Sequence, residues 1–238
     1  MSLYRDEGVV LRTLRLGEAD RIVTMITKGH GKVRAVAKGV RRTKSKFGAR
    51  LEPLSHVVLL CWQGRELDIV NQAEVTDTFR TVRQDLARVA KAYTVLEVTD
   101  QLSQERHANP RLFDMVVGAL RALEARDAPL LVPAFCLKVL ALEGSAPVLE
   151  ECVSCGEREG LVAFDLVEGG VLCRSCRRGR AVSPQALELV RRILGGGLAS
   201  ALEEPAGPLA GEVTDLATEA MEVHLDRRLR SVRSSPMA

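Results

Sequence analysis

The chain has few aromatic residues and no long apolar run. Aromatic side chains make up 3% of its 238 residues, and no stretch reaches the roughly 18 apolar residues that a membrane-spanning helix needs. The first residues, MSLYRDEG, contain neither an apolar core nor a small-residue cleavage site, so we expect no secretory signal. With 46% apolar residues available for a core, the composition predicts a cytoplasmic globular protein without a membrane segment.

The sequence also lacks the short motifs of common catalytic sites. It contains no G-x-x-x-x-G-K-[ST] phosphate loop, no H-E-x-x-H motif and no G-x-S-x-G motif. Four histidines, His30, His56, His107 and His224, are scattered along the chain, and none has a cysteine or carboxylate at metal-ligand spacing. We therefore expect ordinary surface or packed histidines and a binding protein that is not an enzyme.

Acidic residues are absent between Lys28 and Leu51. This window contains nine bases: Lys28, Lys32, Arg34, Lys38, Arg41, Arg42, Lys44, Lys46 and Arg50. The whole chain has a net charge of +3 and the window alone has +9, so all other residues together have a net charge of −6. A cationic segment on an otherwise acidic chain is typical of proteins that bind nucleic acid. A solubilising surface loop is the alternative interpretation.

Short apolar stretches separated by turn residues predict a β-rich N-terminal region. The candidate strands cover residues 7–14, 21–27, 32–38, 54–62 and 66–75. In the third strand Val33, Ala35 and Ala37 fall on one face, and Lys32, Arg34 and Lys38 share the other face with Val36. A mobile-looking loop follows at residues 39–48. This pattern favours an OB-type barrel, and another small β-barrel is the alternative that periodicity does not separate.

After about residue 80 the apolar residues recur at helical spacing. Helices are predicted over 86–104, 112–123, 130–143, 183–194 and 209–223, the fourth with Ser183 as N-cap and Pro184 at its first position. The first of these begins with a stripe at helical spacing: Leu86, Val89, Ala90, Tyr93, Leu96 and Glu97. The fold class is therefore α+β and multidomain, with a nucleic-acid-binding barrel over residues 1–80 and a helical domain over residues 81–238.

Four of the six cysteines form two C-x-x-C pairs separated by 17 residues. Each pair brings two thiolates to one ion, and two pairs complete a tetrahedral shell of four sulfurs. The predicted ligands of one structural Zn²⁺ are Cys152, Cys155, Cys173 and Cys176. Their segment, residues 151–180, is inserted between predicted helices and includes a β-hairpin over 164–172. Cys61 and Cys136 lie in apolar runs and are expected in the core.

Three stretches of the N-terminal region resemble the bacterial RecO family of recombination mediators. They are EADRIVTMI at 18–26, HGKVRAVAKGVRR at 30–42 and FGARLEPL at 47–54. The order of barrel, helical region and Cys₄ insertion is also similar to that family. The resemblance implies an OB-fold that binds single- and double-stranded DNA at the nucleoid and anneals complementary strands. It further implies that the protein, with RecR, helps to load RecA onto strands coated by single-stranded DNA-binding protein (SSB).

Carried over to this chain, the resemblance assigns the DNA face to eight bases: Lys32, Arg34, Lys38, Arg41, Arg42, Lys44, Lys46 and Arg50. It also implies a zinc-bound form, because the chain keeps four cysteines. Near the basic face, Phe47, Trp62 and Tyr4 are the aromatic candidates for base stacking. An RNA- or ribosome-associated zinc-ribbon protein is the alternative binding function, and a metallohydrolase is the alternative enzyme.

Overall fold

The computed structural model describes residues 2–233, and the chain divides into two compact units, one ending at Ala125 and the other beginning at Arg126. The first unit contains all five predicted strands. Its elements are β1 (Leu3–Leu16), β2 (Asp20–Thr27), β3 (Gly31–Ala37), a 3₁₀ helix (Gly48–Leu51), β4 (His56–Trp62), β5 (Asp68–Asp77), α1 (Arg80–Gln84), α2 (Leu86–Leu102) and α3 (Pro110–Ala125).

The five strands close into a barrel in the order β1-β2-β3-β5-β4. All neighbours are antiparallel except β3 and β5, which pair in parallel at Val36 and Ile69. The predicted alternation of β3 is confirmed, since Val33, Ala35 and Ala37 are buried in the barrel interior and the residues between them face outward. Closure of a five-stranded sheet around such a core is the OB-type architecture, so the fold prediction is confirmed.

Helices α2 and α3 cover one end of the barrel's outer face. Val9 of β1 pairs in register with Ile26 of β2 and with His56 of β4, and all three side chains are fully buried. They point away from the barrel interior, because their strand neighbours Val10 and Met25 lie in the barrel core. Contacts of α3 with β2 and of α2 with β1 therefore bury this row from outside.

The stripe predicted for α2 was wrong in part: Leu96 is buried as predicted, but Leu86 and Tyr93 are not. Leu86 and Tyr93 are 70% and 43% exposed, whereas the buried face contains Ala92, Val95 and Thr99. Apolar residues occur on more than one side of this helix, so periodicity alone does not select the face that docks. Ion pairs made by Asp100 to the barrel, described below, help to set the docked face.

Gly31 lets the β2–β3 turn approach the segment that follows α2. Its φ is +68°, and a Cβ would lie 2.0 Å from the His107 carbonyl oxygen. We expect Gly31→Ala to lower the free energy of unfolding by about 2–5 kcal/mol, because the backbone is strained and the segment is displaced. Gly17→Ala is the control, since Gly17 also has a positive φ (+56°) but no atom near its Cβ position. Equal losses in urea unfolding would contradict the close-approach explanation.

The second unit combines helices with a small sheet. Its elements are α4 (Leu131–Leu142), β6 (Leu161–Asp165), β7 (Gly170–Cys173), β8 (Arg180–Ala181), α5 (Pro184–Leu194), α6 (Leu198–Ala201), α7 (Pro208–His224) and α8 (Arg230–Arg233). The three strands form a sheet in the order β7-β6-β8, and α4 packs against α5 and α7. The sheet lies in sequence between α4 and α5, which confirms the predicted insertion into a helical region.

Sequence signals at the helix ends and in the core are also confirmed. The Ser183 hydroxyl accepts a hydrogen bond from the Ala186 N–H at 3.1 Å, and Pro184 begins α5. Cys61 and Cys136 are each 1% exposed and lie in the core. Among the helices described within residues 2–233, none combines the length and apolar character needed to span a bilayer.

Candidate nucleic-acid interface and metal centre

The cationic loop, residues 38–50, leaves β3 and runs into the 3₁₀ helix. Its main chain is held against the β1–β2 turn, because the Arg41 N–H donates to the Ala19 carbonyl oxygen at 2.9 Å and the Gly39 N–H donates to Asp20 Oδ1 at 2.7 Å. The Arg41 guanidinium donates to the Glu18 carbonyl oxygen at 2.9 Å. The loop that looked mobile in the sequence is therefore folded onto the barrel.

Two of the three aromatic candidates for base stacking are engaged elsewhere. Phe47 is 1% exposed and belongs to the barrel core, so the prediction of a stacking role for it was wrong. Burying this ring is what anchors the cationic loop. The Tyr4 ring packs on that core and on His30, and its hydroxyl donates to Asp68 Oδ2 at 2.5 Å. Burial and the Asp68 carboxylate raise the pKa of Tyr4. Trp62 remains 38% exposed.

Among residues 2–233, no carboxylate forms an ion pair with any of the six bases of the cationic loop. Lys46 Nζ donates a hydrogen bond to the Asn71 carbonyl oxygen at 2.7 Å. The Arg50 guanidinium donates to the backbone carbonyl oxygen of Lys46 at 2.5 Å. Such bonds orient the cations without neutralising them. Three further bases of the loop are exposed, namely Lys38, Arg42 and Lys44. No ion pair joins any of these three to another residue within 2–233. The loop is thus a compact positive surface.

The three bases of the acid-free window that lie outside the loop are partly neutralised, because carboxylates of the helical segments form ion pairs with them. Lys28 Nζ lies 3.0 Å from Asp114 of α3, and Lys32 Nζ lies 3.4 Å from Asp100 of α2. Arg34 lies 3.6 Å from Glu105, in the segment after α2. These three ion pairs join the β2–β3 hairpin to the helical segments. Lys32 is the most enclosed, with a side chain 15% exposed. The eight predicted DNA-binding residues therefore separate into six unneutralised loop bases and two partly neutralised strand bases.

No local signal in the sequence reveals those acidic partners. Asp100 is 68 residues from Lys32, and Asp114 is 86 residues from Lys28. The same holds for two histidines that pair with carboxylates of β1, His30 with Asp6 at 2.6 Å and His56 with Glu7 at 2.8 Å. These pairings depend on barrel closure and helix docking, so sequence spacing gives no indication of them.

The four cysteines of the two C-x-x-C pairs meet in one cluster. Their sulfur atoms all lie within 4.8 Å of one another, and the Cys155 and Cys173 sulfurs are 3.7 Å apart. Four sulfurs at about 2.3 Å from a tetrahedral ion would be about 3.8 Å apart, so this spacing suits a metal ion. Gly156, at φ +77°, and its N–H bond to the Cys152 carbonyl oxygen at 2.8 Å form the tight turn of the first pair.

The protonation chemistry of the cluster also suits a cation. Burial opposes ionisation of Cys152, but neighbouring backbone N–H groups donate to its sulfur and lower the pKa of the thiol overall. A backbone N–H at Glu157 favours the Cys155 thiolate, yet the three other sulfurs raise the pKa of Cys155 above its usual value. A positive ion at the centre of the cluster would stabilise the thiolate forms of these cysteines.

Comparison with known proteins covers both units. The family model described as "Recombination protein O N terminal" matches residues 1–79, and that described as "Recombination protein O C terminal" matches residues 83–233. Two proteins of Bifidobacterium longum, strains DJO10A and NCC 2705, are named DNA repair protein RecO. Each is 42% identical to this chain over 239 residues, which cover 98% of the chain and 98% of the relative. The chain belongs to the recombination protein O (RecO) family.

Proposed function

We propose that the chain is a non-enzymatic DNA-binding mediator of recombinational repair. It anneals complementary single strands and, with RecR, helps to load RecA onto single strands coated by SSB, at the nucleoid in the cytoplasm. Family membership over both halves supports the repair role, as does the name of the two relatives. The observation that carries DNA binding is the folded cationic loop, which is exposed and free of acidic residues.

The proposed DNA interface lies on the barrel, residues 1–80, and consists of the eight predicted bases. The six loop bases supply most of the affinity, because no carboxylate in the described part of the chain neutralises them. Lys32 and Arg34 contribute less, since Asp100 and Glu105 compete with phosphate for them. Contacts to phosphates fix a strand without occupying the base edges that pair, and they reduce the repulsion between two strands. Such an interface suits strand annealing and accepts single- and double-stranded DNA.

We propose that one Zn²⁺ is held by Cys152, Cys155, Cys173 and Cys176. Soft thiolate ligands in a tetrahedral set favour zinc over the hard divalent cations. When bound, the ion supplies a structural cross-link rather than catalysis, because four protein ligands leave no position for water. The ligands themselves join the turn before β6 to the end of β7.

Strand annealing tests the proposed function. Complementary oligonucleotides are mixed with and without an SSB coat, and duplex formation is followed by fluorescence. The protein should accelerate annealing, and the triple variant Arg41→Glu, Arg42→Glu and Lys44→Glu should lose at least about tenfold of that acceleration, because repulsion replaces attraction at three phosphate contacts. Its unfolding midpoint should stay nearly unchanged, since exposed charges contribute little to stability.

A matched charge reversal controls for net charge. Three exposed bases outside the window give the same change in charge: Arg111→Glu, Arg121→Glu and Arg228→Glu. This control variant should anneal strands nearly as fast as the unmodified protein. Equal loss in both variants, or no acceleration by the unmodified protein, would contradict the proposal. A strong preference for RNA over DNA of matched length would assign the interface to RNA instead.

A further inference from the structure

An apolar belt crosses the outer face of the barrel. Strand register places six side chains in one row, because Leu14 pairs with Ile22, Ile22 with Val36, Val36 with Ile69, Ile69 with Trp62 and Trp62 with Leu3. Directly paired residues project from the same face of a sheet. The apolar belt is therefore defined as Leu3, Leu14, Ile22, Val36, Trp62 and Ile69.

The belt is exposed at Leu3, Leu14 and Trp62 and half-buried at Ile22, Val36 and Ile69, whereas a parallel row of the same face is fully covered. Leu14, Leu3 and Trp62 are 58%, 45% and 38% exposed, whereas Val9 and Ile26, in the row that α2 and α3 cover, are fully buried. The helices thus shield one end of the outer face and leave the belt free. An apolar row that is exposed at both ends and half-exposed between them is typical of a binding surface.

Positive charge borders the belt on β3 and beyond. Arg34 precedes Val36 by two residues and Lys38 follows it by two, which places each about 7 Å away along the same side of the chain. Lys38 is also the first residue of the cationic loop. A single-stranded nucleic acid has bases with flat apolar faces, joined by anionic phosphates. An apolar row bordered by cations complements both features.

We infer that single-stranded DNA lies along the apolar belt, with one base stacked on Trp62. Neighbouring bases pack on Ile69, Val36 and Ile22, and phosphates contact Lys38 and, in competition with Glu105, Arg34. The inference rests on the proposed function and gives the strand a path across the barrel. Stacking occupies the faces of the bases and leaves their pairing edges open, as annealing requires. A duplex cannot use this surface, because its bases are already stacked on one another.

The fluorescence of Trp62 reports directly on this contact, because the chain contains one tryptophan. Oligo(dT) is titrated into the intact protein at low salt while Trp62 emission and the anisotropy of a labelled oligonucleotide are recorded. Emission should be quenched saturably, with the same midpoint as the anisotropy change. A duplex of equal length should bind by charge without quenching. Anisotropy without quenching by oligo(dT) would overturn the inference and leave the proposed function intact. No anisotropy change at all would overturn both.

Substitutions measure how much the stacking contributes. Trp62→Ala should weaken oligo(dT) binding by about 5- to 150-fold, as expected when one base loses an aromatic partner, and duplex binding should not change. Trp62→Phe should retain affinity within about threefold, since phenylalanine still offers a ring. Tyr93→Ala removes another exposed aromatic ring, on α2, and should bind like the unmodified protein. Equal affinities of the Trp62→Ala and Tyr93→Ala variants for oligo(dT) would leave the belt to a protein partner and overturn the assignment.

Discussion

Raising the salt concentration from about 50 to about 200 mM should weaken DNA binding by this chain about 10³- to 10⁵-fold. Six uncompensated loop bases and two strand bases correspond to the number of phosphate contacts for which such a loss is expected. Each contact releases a condensed counterion, and added salt opposes that release. The measurement is the equilibrium affinity for an oligonucleotide at several salt concentrations. A flat salt response would contradict an interface that works by charge.

The slope of this dependence identifies the residues responsible. Neutralising Arg41, Arg42 and Lys44 to glutamine should reduce the slope of log affinity against log salt by about two for single strands, because each lost contact removes about 0.7. Glutamine replacements at Arg111, Arg121 and Arg228 should keep the original slope. If both variants lost the same slope, overall charge rather than the cationic loop would govern binding.

Removing the metal should unfold the inserted sheet while leaving the barrel folded. A structural zinc site contributes about 10–16 kcal/mol of apparent folding free energy, far more than a three-stranded sheet of this size gains from its own core. That core consists of a few buried residues, among them Ala163 and Leu172. We expect one zinc ion per purified chain and, after chelation, loss of amide-exchange protection in β6 and β7. Oligonucleotide affinity should persist, since the cationic loop belongs to the other unit.

Variants of the ligands separate metal loss from other damage. Cys152→Ser and Cys173→Ser each remove a buried sulfur of the proposed metal site and should reduce the zinc content to near zero. Ser154→Ala changes an exposed side chain inside the first C-x-x-C turn without touching a ligand, so its zinc content should be normal. Protein that is free of metal as purified and fully protected in β6 and β7 would remove the metal assignment.

Features set by local sequence could be predicted well. The two-residue alternation of β3 identified its buried and outer faces, because that period is a property of the strand itself. The two C-x-x-C pairs identified the cysteine cluster, since ligand spacing within a turn is local. Ser183 and Pro184 identified the start of α5, because capping involves the first turn alone.

Features set by long-range packing could not be predicted. The docked face of α2 depends on which acids meet the barrel, and Asp100 finds Arg12 at 2.6 Å only after the helix has docked. Phe47 follows a run of bases and looks exposed in the sequence, yet barrel closure creates an interior space that its ring fills. The apolar belt combines residues of all five strands, so it exists only in the closed barrel.

If the cationic loop binds the sugar–phosphate backbone of DNA by charge, charge reversal in the loop should weaken binding far more than charge reversal elsewhere. The affinity of a labelled oligonucleotide is measured at low ionic strength for the loop variant with glutamate at Arg41, Arg42 and Lys44, and for the control with glutamate at Arg111, Arg121 and Arg228. We predict that the loop variant binds at least about 100-fold more weakly than the control. Equal affinities of the two proteins would contradict the account.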